Sequence, residues 1–214
     1  MITFRRKYLD RWLENRIGLM CGNVLDLAGK KANPRGTFKP PVEDSHLWVY
    51  ANIDASTNPD VRCDAGNVPL LDDSFNCVLM TELLEHVPDP EKVLLEANRV
   101  LKPEGTCLLS VPFLIGVHPD PNDYQRFTED KLERLLFDAG FRMIECEPMG
   151  GWWAVISDMV RLLLHNHRDK LGPISRSMFY LVVRGTQALQ SLDELSRPTW
   201  PIVTTGWAVV AKKV

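Results

Sequence analysis

The chain has 214 residues, of which 45% are hydrophobic and 25% charged, with a formal net charge of −3. That length suffices for one domain with a substantial core. The near-balanced charge excludes a global pull towards nucleic acid, and no apolar run reaches the roughly 18–20 residues that span a bilayer.

The five cysteines, Cys21, Cys63, Cys77, Cys107 and Cys146, show no CxxC pairing, and four of them fall in or beside expected strands. They read as reduced core thiols of a cytoplasmic protein. The N-terminus is charged but lacks the apolar segment of a secretory signal.

Residues 1–20 read as a helix. Phe4, Tyr8, Leu9, Trp12, Leu13 and Ile17 can share one face, and Arg5, Arg6, Lys7, Arg11 and Arg16 add positive charge elsewhere. An amphipathic helix covering a sheet edge or cleft is the plain reading. Attraction to an acidic substrate or to an anionic membrane surface, as peripheral contact, is the sharper one.

Val24–Leu27 is a short buried strand followed by Ala28, Gly29 and Lys30. Residues 31–47 hold Pro34, Gly36, Pro40 and Pro41 without helical period, which predicts an irregular loop with at most one helical turn. Trp48–Ile53 is the second strand and ends at Asp54. An acid at such a strand end is where doubly wound sheets bond the ribose hydroxyls of an adenosine. Val61, Arg62 and Cys63 make a short third strand, and Phe75–Met80 a fourth.

Asp89 suits a helix N-cap and Pro90 the first helical position. Val93, Leu94, Ala97, Val100 and Leu101 then mark one helical face, and Lys102, Pro103, Glu104 and Gly105 stop it. Thr106–Val111 is the fifth strand, ending at Pro112. The next loop is crowded with His118, Asp123, Tyr124 and Arg126, a place to look for a substrate site. His118 suits a general base, because imidazole titrates near neutrality. Tyr124 and Arg126 suit polar substrate contacts, with bracing of the loop as the plainer role.

Thr128 caps a helix with Leu132, Leu135, Leu136 and Ala139 on one face, ended by Gly140, and Arg142–Glu147 is the sixth strand. Residues 149–201 form an insert with two expected helices, Gly151–Asn166 and Ile174–Leu195. So much apolar surface points to a hydrophobic or lipid-linked acceptor or a dimer interface, with self-packed helices as the plainer account. Thr205–Lys212 is the last strand.

The runs DAGNVPLLDDSFNCVLMTELLEHVPDP and EANRVLKPEGTCLLSVPF resemble the class I S-adenosylmethionine-dependent methyltransferases, in the branch with a Leu-Glu-His-Val signature after strand four. The resemblance implies a Rossmann-like, doubly wound α/β fold. Its seven-stranded sheet would have six parallel strands and one antiparallel, with a helical insert before the last strand, in a single domain over residues 1–214. It implies methyl transfer from S-adenosylmethionine, with S-adenosylhomocysteine as product, no metal requirement and an unidentified acceptor: hydrophobic, lipid-linked or saccharide.

The resemblance carries cofactor contacts over to Asp26, Leu27, Ala28 and Gly29, to Asp54 and Ala55, to Asp64, Ala65 and Gly66, and to Thr81 and Glu82. His86 reads as structural. The chain departs from the family at the first loop, where two or three spaced glycines are usual and Ala28 stands in place of one. Alanine serves there if its φ is negative. A weakened loop would suit a different class, a non-catalytic scaffold or partner protein.

Overall fold

Period-two alternation divides the central strands between two apolar faces. The computed structural model describes residues 3–32, 36–118, 120–166, 185, 193 and 202–214. Its strands are β1 (Asn23–Leu27), β2 (Leu47–Asn52), β3 (Val61–Arg62), β4 (Phe75–Thr81), β5 (Leu101–Pro112), β6 (Phe141–Pro148) and β7 (Gly206–Lys213). They form one seven-stranded sheet in the order β3-β2-β1-β4-β5-β7-β6. β7 runs antiparallel between β5 and β6, and the pairings from β3 across to β5 are parallel. The described helices are α1 (Phe4–Glu14), α2 (Pro90–Val100), α3 (Glu129–Asp138) and α4 (Trp152–Asn166).

One face carries Leu25, Val78, Leu109 and Val209 against Leu94 and Ala97 of α2 and Leu132 and Leu136 of α3. The other carries Val24, Leu79, Leu108 and Val210 against Leu9, Trp12 and Leu13 of α1 and Ala154 of α4. Each fully buried leucine contributes about 1.5–3 kcal/mol relative to exposure. Among its described residues the connection from β1 to β2 supplies no α-helix, only the one-turn helix Val42–Asp44, as expected of its prolines. α1 and α4 cover the face that this connection leaves bare.

Helix starts follow the sequence. Asp89 accepts from Lys92 N with Pro90 at the first position, and Thr128 accepts from Lys131 N. Two boundaries differ. The first helix ends at Glu14, and Ile17 sits in a separate turn, 39% exposed rather than on the apolar face. β5 begins at Leu101, not Thr106: Glu104 takes a left-handed φ of 62°, and a bulge between Phe75 and Cys77 lets Leu101 pair with Phe75 before the main ladder resumes.

The insert is tied to α1 at both ends of that contact. Asp158 of α4 accepts from Phe4 N at 3.1 Å and Arg5 N at 3.2 Å, donors that the first turn of a helix leaves without intrahelical partners. Burial pushes the Asp158 carboxyl up and these bonds oppose the shift. Asp193 accepts from Tyr8 Oη at 2.6 Å and Ala154 N at 3.1 Å. Apart from Gly185 and Asp193, the second expected insert helix lies outside the described residues. Among the described residues no helix is long and apolar enough to cross a membrane, and the five cysteines are free.

Replacing Asp158 with Ala should destabilise the protein by about 1 kcal/mol and speed amide exchange over Phe4–Trp12, as loss of a helix cap does. Asp158→Asn, which keeps an acceptor oxygen, should lose less. Thermal melts with hydrogen exchange check both, and equal effects of the two would exclude capping as the role of Asp158.

Candidate functional site

β1 lies between β2 and β4, so the chain reverses its direction of winding between β1 and β4. Open α/β sheets bind ligands outside the strand ends at that point. The loop there begins at Ala28, whose N–H donates to Ala51 O at 2.7 Å. Ala28 has φ 70°, which corrects the negative φ that the sequence required of it. The alanine adopts the left-handed backbone that favours glycine, at about 1–2 kcal/mol of strain, so the loop keeps a glycine-like course. Gly29 approaches Asp26 so closely that a Cβ would lie 2.2 Å from the carboxyl carbon.

Asp26 points to the α1 side, opposite Leu25 and Leu27. Its carboxyl makes no hydrogen bond with a described residue. Desolvation pushes it up to about 7, against the lowering charge of Arg6. Asn52, at the end of β2, donates from Nδ2 to Ala28 O at 2.9 Å and Gly29 O at 3.1 Å, while its Oδ1 accepts from Asp54 N at 2.9 Å. One side chain thus fixes both the loop and the next acidic turn. Sequence reasoning missed it; the signal was a polar residue closing an apolar strand two positions before Asp54.

Asp54 caps the one-turn helix Ala55–Thr57, accepting from Ser56 Oγ at 2.8 Å and Ser56 N at 2.9 Å. Those bonds hold its exposed carboxylate below the usual range. Asp64 accepts from Gly66 N at 2.8 Å and is exposed, while Ala65 packs on the core below it. The acids of these two turns stand beyond β2 and β3.

Thr81 ends β4 beside Ser110 of β5, and Glu82 follows with φ 56°. The Glu82 carboxylate accepts from Arg5 Nε at 2.7 Å and Ser110 Oγ at 2.8 Å and also pairs with Arg5 Nη2. Burial would raise its pKa, but Arg5 and Ser110 hold it low. Arg5 is buried and donates further from Nη1 to Thr205 O at 2.9 Å and Val111 O at 3.2 Å. α1 is therefore bolted to the ends of β4 and β5 and to the entry of β7. Arg5 had been counted only as helix charge. Its signal was position: three, four and seven residues before Tyr8, Leu9 and Trp12 puts it on the buried stripe.

The loop after β5 is braced chiefly by itself. Asp123 accepts from His118 N at 2.9 Å and from both Nη atoms of Arg126, and the Arg126 contacts hold its carboxylate well below the usual range. Tyr124 is exposed, and its N–H donates to Glu85 O at 2.8 Å. Gln125 Nε2 donates to Val87 O at 3.0 Å. His86 lies in the one-turn helix Leu84–His86 ahead of α2, its ring 5.4 Å edge-on from that of His118. Glu85 beside it is fully buried, and burial with the nearby Glu82 charge pushes its carboxyl up to about 8. Lys30 reaches Asp120 at 3.4 Å, joining the first loop to this one across the strand ends.

Known proteins resemble this chain over part of its sequence and in its fold. Residues 42–109 match a family model described as "Methyltransferase domain". An uncharacterized 37.1 kDa protein in a Streptomyces fradiae transposon is 29% identical over 157 residues, covering 64% of this chain and 46% of that protein. The ubiquinone/menaquinone biosynthesis C-methyltransferase UbiE of Francisella tularensis subsp. novicida is 26% identical over 175 residues, covering 60% of this chain and 70% of that one. The chain thus spans under half the length of the first relative. A putative sarcosine dimethylglycine methyltransferase from Galdieria sulphuraria shares the fold at a TM-score of 0.60 and 16% identity, over 96% of this chain and 85% of that one.

Two substitutions probe the scaffold of the site. Arg5→Ala should cost about 1.5–3 kcal/mol, because it removes charge-assisted bonds from the partly exposed Glu82 carboxylate. The Arg5→Ala/Glu82→Gln double variant should recover part of that loss; additive losses in denaturant melts would show that the two do not interact. Asn52→Ala should weaken nucleoside-ligand binding about 10-fold by freeing Ala28 and Gly29, the equivalent of one lost hydrogen bond of about 1.4 kcal/mol. Calorimetry with S-adenosylhomocysteine measures this, and unchanged affinity would sink the clamp.

Proposed function

We propose, for a chain that belongs to the class I S-adenosylmethionine-dependent methyltransferases, that it transfers the methyl group of S-adenosylmethionine to a hydrophobic acceptor and releases S-adenosylhomocysteine. The observation that carries this is the cradle at the end of β1. There a carboxyl without a described hydrogen-bond partner, Asp26, faces a loop whose glycine leaves no room for a side chain.

These residues fit the cofactor. Asp26 would hold its cationic amino group, with Leu27, Ala28 and Gly29 lining the methionine portion through their backbones. Asp54 would take the ribose hydroxyls, each of its oxygens keeping a lone pair beyond its bond to Ser56. Asp64 would meet the adenine amino group over Ala65 and Gly66, with Ala55 beside the ribose, and Thr81 and Glu82 would stand near the reacting end. Bound S-adenosylmethionine supplies an electrophilic methyl on a sulfonium, so the protein's work is alignment and removal of an acceptor proton.

His118 is the proposed base. Its Nδ1 contacts Gly116 O at 3.1 Å, which assigns the proton to Nδ1 and leaves Nε2 free to accept. Arg126 holds Asp123, which holds the His118 backbone. Tyr124 is proposed to face the acceptor. The hydrophobic character follows from α4. Trp152, Ile156, Met159 and Leu163 are exposed on it, and Leu162 lies so close to Gly116 that a Cβ there would meet it at 2.3 Å. That places an apolar helix against the loop of His118.

Calorimetric titration with S-adenosylmethionine and S-adenosylhomocysteine tests the reading. Micromolar binding is expected, weakened about 10-fold or more by Asp54→Ala, a charge-assisted contact worth about 1.5–3 kcal/mol. The raised Asp26 pKa, about 7, sets the pH dependence. The free carboxyl is neutral below that pH and the cofactor's ammonium selects the ionised form. Affinity should therefore rise as pH increases through about 7, with proton release on binding, and Asp26→Asn should flatten the profile. Absence of binding at millimolar ligand would replace methyl transfer with the scaffold reading.

A further inference from the structure

Glu85, His86 and His118 come together from two different loops. One donor atom of each lies within 4.8 Å of the other two. Glu85 is fully buried, and neither of its carboxylate oxygens bonds another described residue; only its own backbone N–H approaches the carboxyl. A buried carboxyl without a bond to another residue is costly, more so if charged, and such a group calls for an explanation.

The histidines are arranged to supply one. His86 Nδ1 lies 2.6 Å from Asn122 O, so it carries the ring proton and Nε2 presents a lone pair. That Nε2 stands 3.6 Å from Glu85 Oε1, too far for a hydrogen bond and close enough for a shared cation. His118 repeats the pattern, with Nδ1 against Gly116 O at 3.1 Å and Nε2 left over. Backbone carbonyls that fix the tautomer and orientation of two imidazoles are the outer-shell partners that metal-ligating histidines use. The neighbouring positive charges do not occupy the site: Arg5 is paired with Glu82 and Arg126 with Asp123.

We propose that Glu85, His86 and His118 form a three-ligand site for a divalent transition cation of the zinc type, at the edge of the sheet beside the ends of β4 and β5. Two nitrogens and one carboxylate oxygen suit such an ion, whereas magnesium and calcium take mainly oxygen donors. Three protein ligands leave a fourth, tetrahedral position open. Ligand distances of about 2.0–2.2 Å require the donors to draw together, and His118, on a loop and with its side chain 36% exposed, is the ligand that would shift together with its loop. The site stands on these three side chains alone. Its further consequence rests on the methyl-transfer reading: an acceptor oxygen in the fourth position would lose its proton to solvent there, and His118 would be a ligand in the metal-bound protein and the base only in the metal-free one.

The test uses the full chain stripped with chelator, titrated calorimetrically with zinc chloride, and Co²⁺ as a spectroscopic probe. One equivalent should bind in the micromolar range, and Co²⁺ should give the intense visible bands of tetrahedral coordination. His118→Ala should weaken binding by about 10-fold or more, and Glu85→Gln likewise. Cys21→Ser, which alters the one fully exposed thiol, should leave binding unchanged. If Glu85→Gln fails to fold, the His118 variant decides, since that ring is on the surface. No saturable binding up to about 1 mM, a range reached only by interactions of about −4 kcal/mol, would overturn the site. So would stoichiometric binding that His118→Ala leaves intact. Cofactor titration of the same metal-free protein is read separately, so loss of the metal site and loss of the methyl-transfer reading give different results.

Discussion

A buried guanidinium from the first helix meets a partly exposed carboxylate at the end of a central strand, and much of the molecule hangs on that meeting. Arg5 bonds Glu82, Val111 O and Thr205 O together, so one side chain spans the ends of β4 and β5 and the entry to β7. Glu82 accepts it from a left-handed backbone and takes a further bond from Ser110. Even Gly206 is constrained by this contact, since a Cβ there would lie 2.0 Å from Arg5 Nη1. Arg5 could not be buried alone, because desolvation of a single charge outweighs what packing offers it.

From this pair follows how the sheet is closed. Among its described residues the proline-containing connection after β1 gives no α-helix to cover the face of Val24, Leu79 and Leu108. α1 takes that position, held at its start by Asp158 and at Arg5 by Glu82, and α4 is drawn over the same face by the Asp158 contact. Fold and site are therefore not separable at this edge: the helix that covers the core also holds Glu82 through Arg5. Leu162 of α4 comes to the loop of His118 for the same reason.

The polar groups at the strand ends fall into two sets. Asp26, Asn52, Asp54 and Asp64 line the ends of β1 to β3 and hold or border a loop with glycine-like backbone. Glu85, His86 and His118 gather beyond β4 and β5, where a carboxyl is buried against two imidazoles whose tautomers are fixed by carbonyls. Lys30 and Asp120 connect the two sets. On the proposed function the first set would face the methyl donor and the second the acceptor.

Much of the framework was legible in the chain itself. Strand alternation, the Asp89-Pro90 and Thr128 helix starts and the Gly140 stop are local effects, set by sterics and by hydrogen bonds within a few residues, and they reappear in the structure. The antiparallel placement of the last strand and the positions of Asp26, Asp54 and Asp64 at strand ends came through resemblance and ordered runs. What tertiary structure alone decided is long-range. The φ of Ala28 depends on its bond to Ala51 and on Asn52, residues over twenty positions away. The burial of Arg5 depends on Glu82, and the meeting of Glu85 with His118 depends on how two loops fold onto one edge. Local sequence specifies periodicity and caps. It cannot specify which distant charge or carbonyl a polar side chain will find, and those encounters assemble the candidate site.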